Sequence, residues 1–301
     1  MKTLIMNSLF RNLFEFEKPE SRGEYIFFKI FELFIVYFAV KHAWEWGLYV
    51  ERISDIVLPL GIANYLDVSF MFGTSLPLVN AFLITITLTI GFFGLFTRFA
   101  YLIALLLLHL QYATRFTLGE IPHSANLMGM TLLCFALAHI YFQDPTFRRR
   151  FAMGSVYFFC GLGYTLAGLS KLVGTGIHWF DGRHLWLWMS EKSIDIMSRA
   201  GSFEYNWLQE LAFQNHSIAS LILLSGLLVE LSGFTMWWKK FRPIIITLII
   251  GTHLGITMTM NIVFAAFVYQ LILMAYPWPS LIDYIIEKFD SAKAKNEVEA
   301  V

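Results

Sequence analysis

Long apolar runs alternate with short polar breaks along the whole chain. A helix that crosses a bilayer needs about 20 mostly apolar residues. Such runs fall near 24–46, 78–96, 98–114, 123–142, 151–172, 216–238, 242–260 and 262–277. The breaks carry helix-ending residues. Pro77 and Gly94 flank the second run, Gly119 and Pro122 precede the fourth, and Asp144-Pro145 ends it. Pro243 opens the seventh run, and Pro277 and Pro279 close the last. Only Asn261 parts the last two runs, and the eighth is short. The stretch 53–77 is less apolar and reads as interfacial. No internal repeat or low-complexity tract interrupts the pattern. It predicts an all-α, polytopic transmembrane bundle of about eight spans. Residues 1–23 read as a cytoplasmic or interfacial lead-in, 24–280 as one membrane domain and 281–301 as a charged tail.

Composition supports lipid as the outer solvent. Of 301 residues, 57% are hydrophobic and 15% charged, against about 25% charged in an average soluble domain. The mean hydropathy is +0.60. These values exclude a disordered chain and argue against an ordinary soluble enzyme. Lys+Arg 22 balances Asp+Glu 22, so net charge gives nucleic acid no purchase. Cys134 and Cys160 both sit in apolar runs, without metal-ligand spacing or a disulfide framework. In the lead-in, Glu15, Glu17 and Glu20 interrupt Lys2, Arg11, Lys18 and Arg22, and no long apolar stretch with a small-residue cleavage site follows. It does not read as a cleavable signal peptide.

Basic residues set orientation. With the N-terminus inside and spans alternating, the cytoplasmic segments gather most of them, including Arg148, Arg149, Arg150, Lys239, Lys240 and Arg242. Both termini are then cytoplasmic. The same topology assigns depths to the ionisable residues inside spans, where charge is costly and asks for a reason. Lys171 ends the fifth span and His123 begins the fourth, both at the outer face. His109 lies about one turn below the outer end of the third span. His253 falls in the outer half of the seventh, and His42 and Glu45 at the outer end of the first. An amine, several imidazoles and a carboxylate therefore share one side. Glu230 falls in the inner half of the sixth span and is expected to pair with Arg98 or Arg242. Arg98 closes a tight hairpin after Gly94, so Arg98 and Glu230 read as structural. His139 reads as an interfacial helix cap. Plainer readings stand beside these: a lone His often satisfies a buried hydrogen bond, and Lys171 could snorkel to headgroups.

The segment Tyr164-Thr165-Leu166-Ala167-Gly168-Leu169-Ser170-Lys171-Leu172, followed by Trp179-Phe180-Asp181-Gly182, carries the most chemistry. Ala167 and Gly168 let a neighbouring helix approach closely. The lysine follows at a helix end, where desolvation favours the neutral amine that a general base needs. The outer loop 173–215, rich in aromatic and charged residues, could cover it. Trp179 and His109 are candidate contacts for a flat apolar cofactor.

Ala-Gly-Leu-Ser-Lys-Leu with a downstream Trp-Phe-Asp-Gly resembles the lysine motif of the vitamin K-dependent gamma-carboxylase family and its bacterial relatives, the horizontally transferred transmembrane (HTTM) proteins. Other segments resemble that family in the same order. Gly94-Leu95-Phe96-Thr97-Arg98 is similar to its Gly-Leu-x-x-Arg turn, and Pro122-His123-Ser124 with Gly129 to its Asn-His-Ser segment. Glu230-Leu231-Ser232, a basic turn and Thr252-His253-Leu254 resemble its acidic-Leu-Ser and Phe-His motifs. The resemblance spans most of 25–280. It implies a lysine, here Lys171, that activates a reduced quinone resembling vitamin K hydroquinone. Oxygen then yields a strong base, which abstracts a glutamate γ-proton, and carbon dioxide adds. The co-product is the epoxide. Functional histidines fall on His123 and His253, and no metal is implied. The first of the family's paired lysines is Ser170 here. The chain ends near 301 without the large lumenal region that grips the carboxylase's protein substrate, so whether a peptide or protein is the substrate stays open. Two rival classes remain: a proton-coupled transporter whose path is lined by the same residues, and a noncatalytic membrane scaffold for a redox partner.

Overall fold

The computed structural model describes residues 9–50, 58, 60–118 and 123–299. Among them there are helices and turns and no strand. A short helix α1 (9–14) precedes α2 (Arg22–Val50), α3 (Leu76–Phe92), α4 (Thr97–Phe116), α5 (His123–Tyr141) and α6 (Pro145–Thr175). Then come α7 (Gly182–Ala200), α8 (Trp207–Gln214), α9 (His216–Leu231), α10 (Arg242–Met260), α11 (Ala265–Ala275) and α12 (Trp278–Glu299). The chain divides into two compact units. The first comprises Met1–Leu13 with Tyr157–Tyr276, and the second Phe14–Val156 with Pro277–Val301.

In the second unit, α2 packs on α3, α3 on α4, α4 on α5, and α12 returns to α2. Phe31, Ile35, Ala39 and Ala43 are fully buried. Their four-residue spacing lays one apolar stripe along α2. The α3–α4 turn works because Gly94 adopts φ +80°, a region open to glycine at no steric cost. Asn80 Nδ2 then donates to the Leu107 carbonyl at 3.0 Å and fixes the two helices' register.

The first unit is held by backbone approach between α6 and the 3-10 turn Gly233–Trp237 that follows α9. A Cβ on Gly161 would lie 2.9 Å from the Gly233 carbonyl oxygen, and one on Gly233 would lie 2.7 Å from Tyr164 Cβ. The turn's Phe234 N–H donates to Thr165 Oγ1 at 2.9 Å, and Trp237 Nε1 donates to the Phe158 carbonyl at 3.0 Å. These contacts set the end of α9 beside the last turns of α6.

Among the described residues, four helical stretches are long and apolar enough to cross a membrane: Arg98–Phe116, Pro145–Phe180, His216–Trp237 and Lys239–Met260. A fifth crossing results if α11 and α12 act together as one broken span. The chain therefore has the helices of an integral membrane protein, but length and apolarity support four or five crossings rather than eight. Helix α2 is long, yet Lys29, Glu32, Lys41 and Glu45 punctuate it. Helices α3 and α11 have 17 and 11 residues, about 26 and 16 Å at 1.5 Å per residue, short of a hydrocarbon core about 30 Å thick.

Candidate active site around Lys171

The packing of α6 on α9 decides where Lys171 goes. A Cβ on Gly168 would sit 3.0 Å from the Leu231 backbone nitrogen, so the absence of a side chain there lets the two backbones meet. One turn further along α6, the Lys171 ammonium donates to both carboxylate oxygens of Glu230. The two side chains are 26% and 13% exposed. The Trp179 ring lies over the amine, 5.3 Å from Nζ to its centroid. Trp179 belongs to the 3-10 turn Gly176–Phe180, which leads into α7.

Two turns before Lys171, Tyr164 occupies the same face of α6. Its hydroxyl meets His253 Nε2 of α10 at 2.6 Å. His253 is 9% exposed. Its ring packs against Phe264 and Phe267, with centroids 4.7 and 5.1 Å away. Its Nδ1 has no hydrogen-bond partner among the described residues. The two pairs form one electrostatic neighbourhood, because the Lys171 charge acts on His253 and the Glu230 charge on Tyr164.

The loop end of the site is anchored separately. Asp181 caps α7, accepting from the Arg183 backbone N–H at 3.0 Å. Its carboxylate also receives the Arg183 guanidinium and, at 2.8 Å, His216 Nε2 from the first turn of α9. These bonds, Arg183 foremost and His216 next, hold the Asp181 carboxyl well below the usual carboxylate range. Helix α9 thus ties down the Trp179 segment at its start and Lys171 near its end.

Of the residues expected from sequence, Lys171, His253 and Trp179 lie in the first unit, with Trp179 against Lys171. His123 opens α5 in the second unit, and its side chain lies outside the described residues. His109 is exposed on α4, so its own unit does not enclose it as a cofactor contact would be enclosed. Arg98 is exposed, with its guanidinium 5.6 Å from the Phe99 ring.

The expected partner of Glu230 needs correction. Its carboxylate is held by Lys171, whereas the Arg242 guanidinium donates to the Met236 and Asn12 carbonyls. Lys171 and Glu230, expected on opposite halves of the bilayer, share one level. The expected depths count from the ends of apolar runs. Helix α6 has 31 residues, about 46 Å, so its length exceeds one hydrocarbon thickness and its last turn marks no fixed depth. Helix α9 ends at Leu231 and gives way to a 3-10 turn, which puts Glu230 in the last turn of α9. Tyr164 has no role expected from sequence; its spacing of seven from Lys171, which puts both on one face of α6, is the signal. No family model, characterised protein or solved structure matches the chain.

Proposed function

We propose that the chain is a membrane enzyme of the HTTM and gamma-carboxylase-like type. In this reading Lys171 is a general base that works on a quinol-like cofactor with oxygen and carbon dioxide as co-substrates. α2, α3 and α5 also enter the bilayer, giving about eight spans with both termini cytoplasmic. His123 joins the set by its motif alone.

One observation carries the reading: a lysine amine, paired with a single carboxylate, lies under an indole face. The residues present fit a planar hydroxylated ring. Trp179 offers a flat apolar face beside the amine, and the Lys171–Glu230 pair offers both a proton acceptor and a donor to a hydroxyl. A reduced quinone bound there would supply electrons to oxygen and so generate a stronger base than any side chain. The chain's own residues handle the first proton. When the Lys171 ammonium passes a proton to Glu230, the result is a neutral amine and a neutral acid. Glu230 thus frees the amine and holds its proton.

The test is oxygen-dependent quinol consumption by the purified protein in lipid. Lys171→Arg keeps the charge and the Glu230 pair but cannot give up its proton. Turnover should fall by about 10²–10⁴, the usual contribution of a general base. Full activity in Lys171→Arg would end the general-base reading. Solute flux in liposomes without any oxygen requirement would favour a transporter.

A further inference from the structure

The last helix of the second unit keeps its charges apart. In α12 (Trp278–Glu299), two carboxylates turn toward α2. The Gly23 N–H donates to Asp283 Oδ1 at 2.7 Å, and the Arg22 guanidinium meets Asp290 at 3.3 Å. A Cβ on Gly23 would strike the Pro279 carbonyl, so the helices touch backbone to backbone there. Ile286 shares a groove with Arg22, Tyr25 and Ile26. Pro279, Asp283, Ile286 and Asp290 follow one another at helical spacing and so share one face of α12. All four meet the first turns of α2, which places α12 at the end of the unit where α2 begins.

The opposite face is apolar and basic. Leu281, Tyr284, Ile285 and Phe289 are all exposed, Phe289 at 72%. At 3.6 residues per turn they form one stripe, centred opposite Asp283 and Asp290. Lys288 lies in the same stripe, its amine 5.5 Å from the centroid of the Tyr284 ring. Lys295, seven residues further on, is exposed as well. Arg149 and Arg150 stand at this same end, paired with Glu20 and Glu24. One surrounding suits such a stripe. In water its large apolar side chains stay uncovered. In hydrocarbon Lys288, Glu287 and Asp290 would each be costly. At the surface of an anionic leaflet the apolar side chains enter the acyl boundary and the lysine heads reach phosphate.

We propose that α12 lies in the plane of an anionic lipid leaflet, at the end of the unit where α2 begins. Leu281, Ile285 and Phe289 enter the acyl boundary, and Lys288 stays at the headgroups. Because Gly23 and Arg22 bind its other face, α12 anchors the start of α2 to that surface. The inference needs only that the chain is a membrane protein. It goes beyond the quinol reading and does not depend on it.

The experiment places the full chain in phosphatidylcholine liposomes, with and without phosphatidylglycerol, and attaches a nitroxide to single added cysteines. Cys134 and Cys160 are buried, so the label goes to Leu281→Cys, Ile285→Cys, Phe289→Cys or, on the flank, Glu287→Cys. With phosphatidylglycerol present, the first three labels should meet oxygen dissolved in the lipid and escape a water-soluble nickel chelate. Their depth should be the same, about 5–10 Å. The Glu287→Cys label should stay open to the chelate. Lys288→Gln, added to Ile285→Cys, should weaken docking about 5-fold, the share of one lysine at an anionic surface. It should do so only when phosphatidylglycerol is present. Free access of the chelate to all four labels would overturn the docking. A depth that grows by about 12 Å from residue 281 to 289 would overturn it in favour of half a span. Shielding from oxygen and chelate alike would overturn it in favour of a protein partner or a second copy. Equal docking with and without phosphatidylglycerol would remove the anionic surface as the partner.

Discussion

The two units each set a lysine–glutamate pair beside a tyrosine and a histidine, and they use them oppositely. In the second unit, Glu32 is 3% exposed, and each of its oxygens has its own donor. Tyr101 gives its hydroxyl to one, and Lys29 Nζ takes the other at 2.5 Å. Lys29 also donates to the Phe92 carbonyl at 3.0 Å, and His139 Nδ1 meets the Phe135 carbonyl at 2.8 Å. The donors and acceptors of this cluster are matched to one another. In the first unit, one amine serves both oxygens of Glu230, and His253 keeps Nδ1 unmatched. The same four residue types make a joint in which both Glu32 oxygens have separate donors and a candidate site in which His253 Nδ1 has no partner among the described residues.

Stability should expose this difference most strongly at Glu32. Glu32→Ala would strand the buried Tyr101 phenol and take the carboxylate from Lys29, at a cost of about 3 kcal/mol, the upper end for a buried donor left unsatisfied. Expression level and thermal midpoint in detergent check it. A near-silent Glu32→Ala would remove the structural role of that cluster.

Glu230→Gln should behave the other way. The pair is partly exposed, so the amide can still accept from Lys171 and water can reach the amine. The stability loss should stay near 1–2 kcal/mol, in the range for one weakened hydrogen bond to a charged group. Turnover should be lost, because an amide cannot take the proton. Comparing thermal midpoint with quinol consumption separates the outcomes. A variant that unfolds but keeps its activity per folded molecule would make Glu230 structural.

The two tyrosines extend the contrast on a smaller scale. Tyr101→Phe removes a donor to a buried carboxylate and should cost about 1–3 kcal/mol. Tyr164→Phe should cost less, because its partner is a neutral imidazole. It should instead free the His253 Nε2 that Tyr164 engages. Thermal midpoints and the histidine ¹⁵N shifts check the pair.

What sequence reveals here is the solvent and the helices. Apolar runs of span length between Pro and Gly breaks located α4 and α10 closely, whereas α6 begins at Pro145, before its run, and α9 ends at Leu231, before the end of its run. They gave more crossings than length and apolarity by themselves support, because α3 and α11 are short and Arg22, Glu24, Lys29, Glu32, Lys41 and Glu45 punctuate α2. Lys171 and His253 stood out because ionisable groups in apolar runs are costly. Their partners did not, because pairing depends on which helices touch. The α6–α9 contact rests on Gly161, Gly168 and Gly233, whose missing side chains say that something packs closely without saying what. Lys29 and Glu32, three apart on one helix, could have been paired from sequence, but Tyr101 comes from another helix 69 residues away.

The smallest effect lies at the edge of the first unit, where the contrast between matched and open polar groups can be tuned by acid. Asp181 is a matched group, accepting from Arg183 and His216. Its carboxyl is held below the ordinary value of about 3.9, mainly by the bond to Arg183 and then by His216. A carboxyl with a depressed folded value stabilises the fold above its unfolded value and loses that contribution as pH falls through the folded one. The thermal midpoint should therefore decline below about pH 4, partly through Asp181. Asp181→Asn should lower the midpoint slightly at neutral pH, because the amide keeps the cap but not the charge. It should also flatten the acid decline. The Trp179 segment is anchored through this residue, so the same variant should loosen the indole over Lys171, read as a change in tryptophan fluorescence quenching by added iodide. Identical acid profiles for the variant and the unmodified protein would mean that the contacts of Asp181 contribute nothing to holding that segment in place.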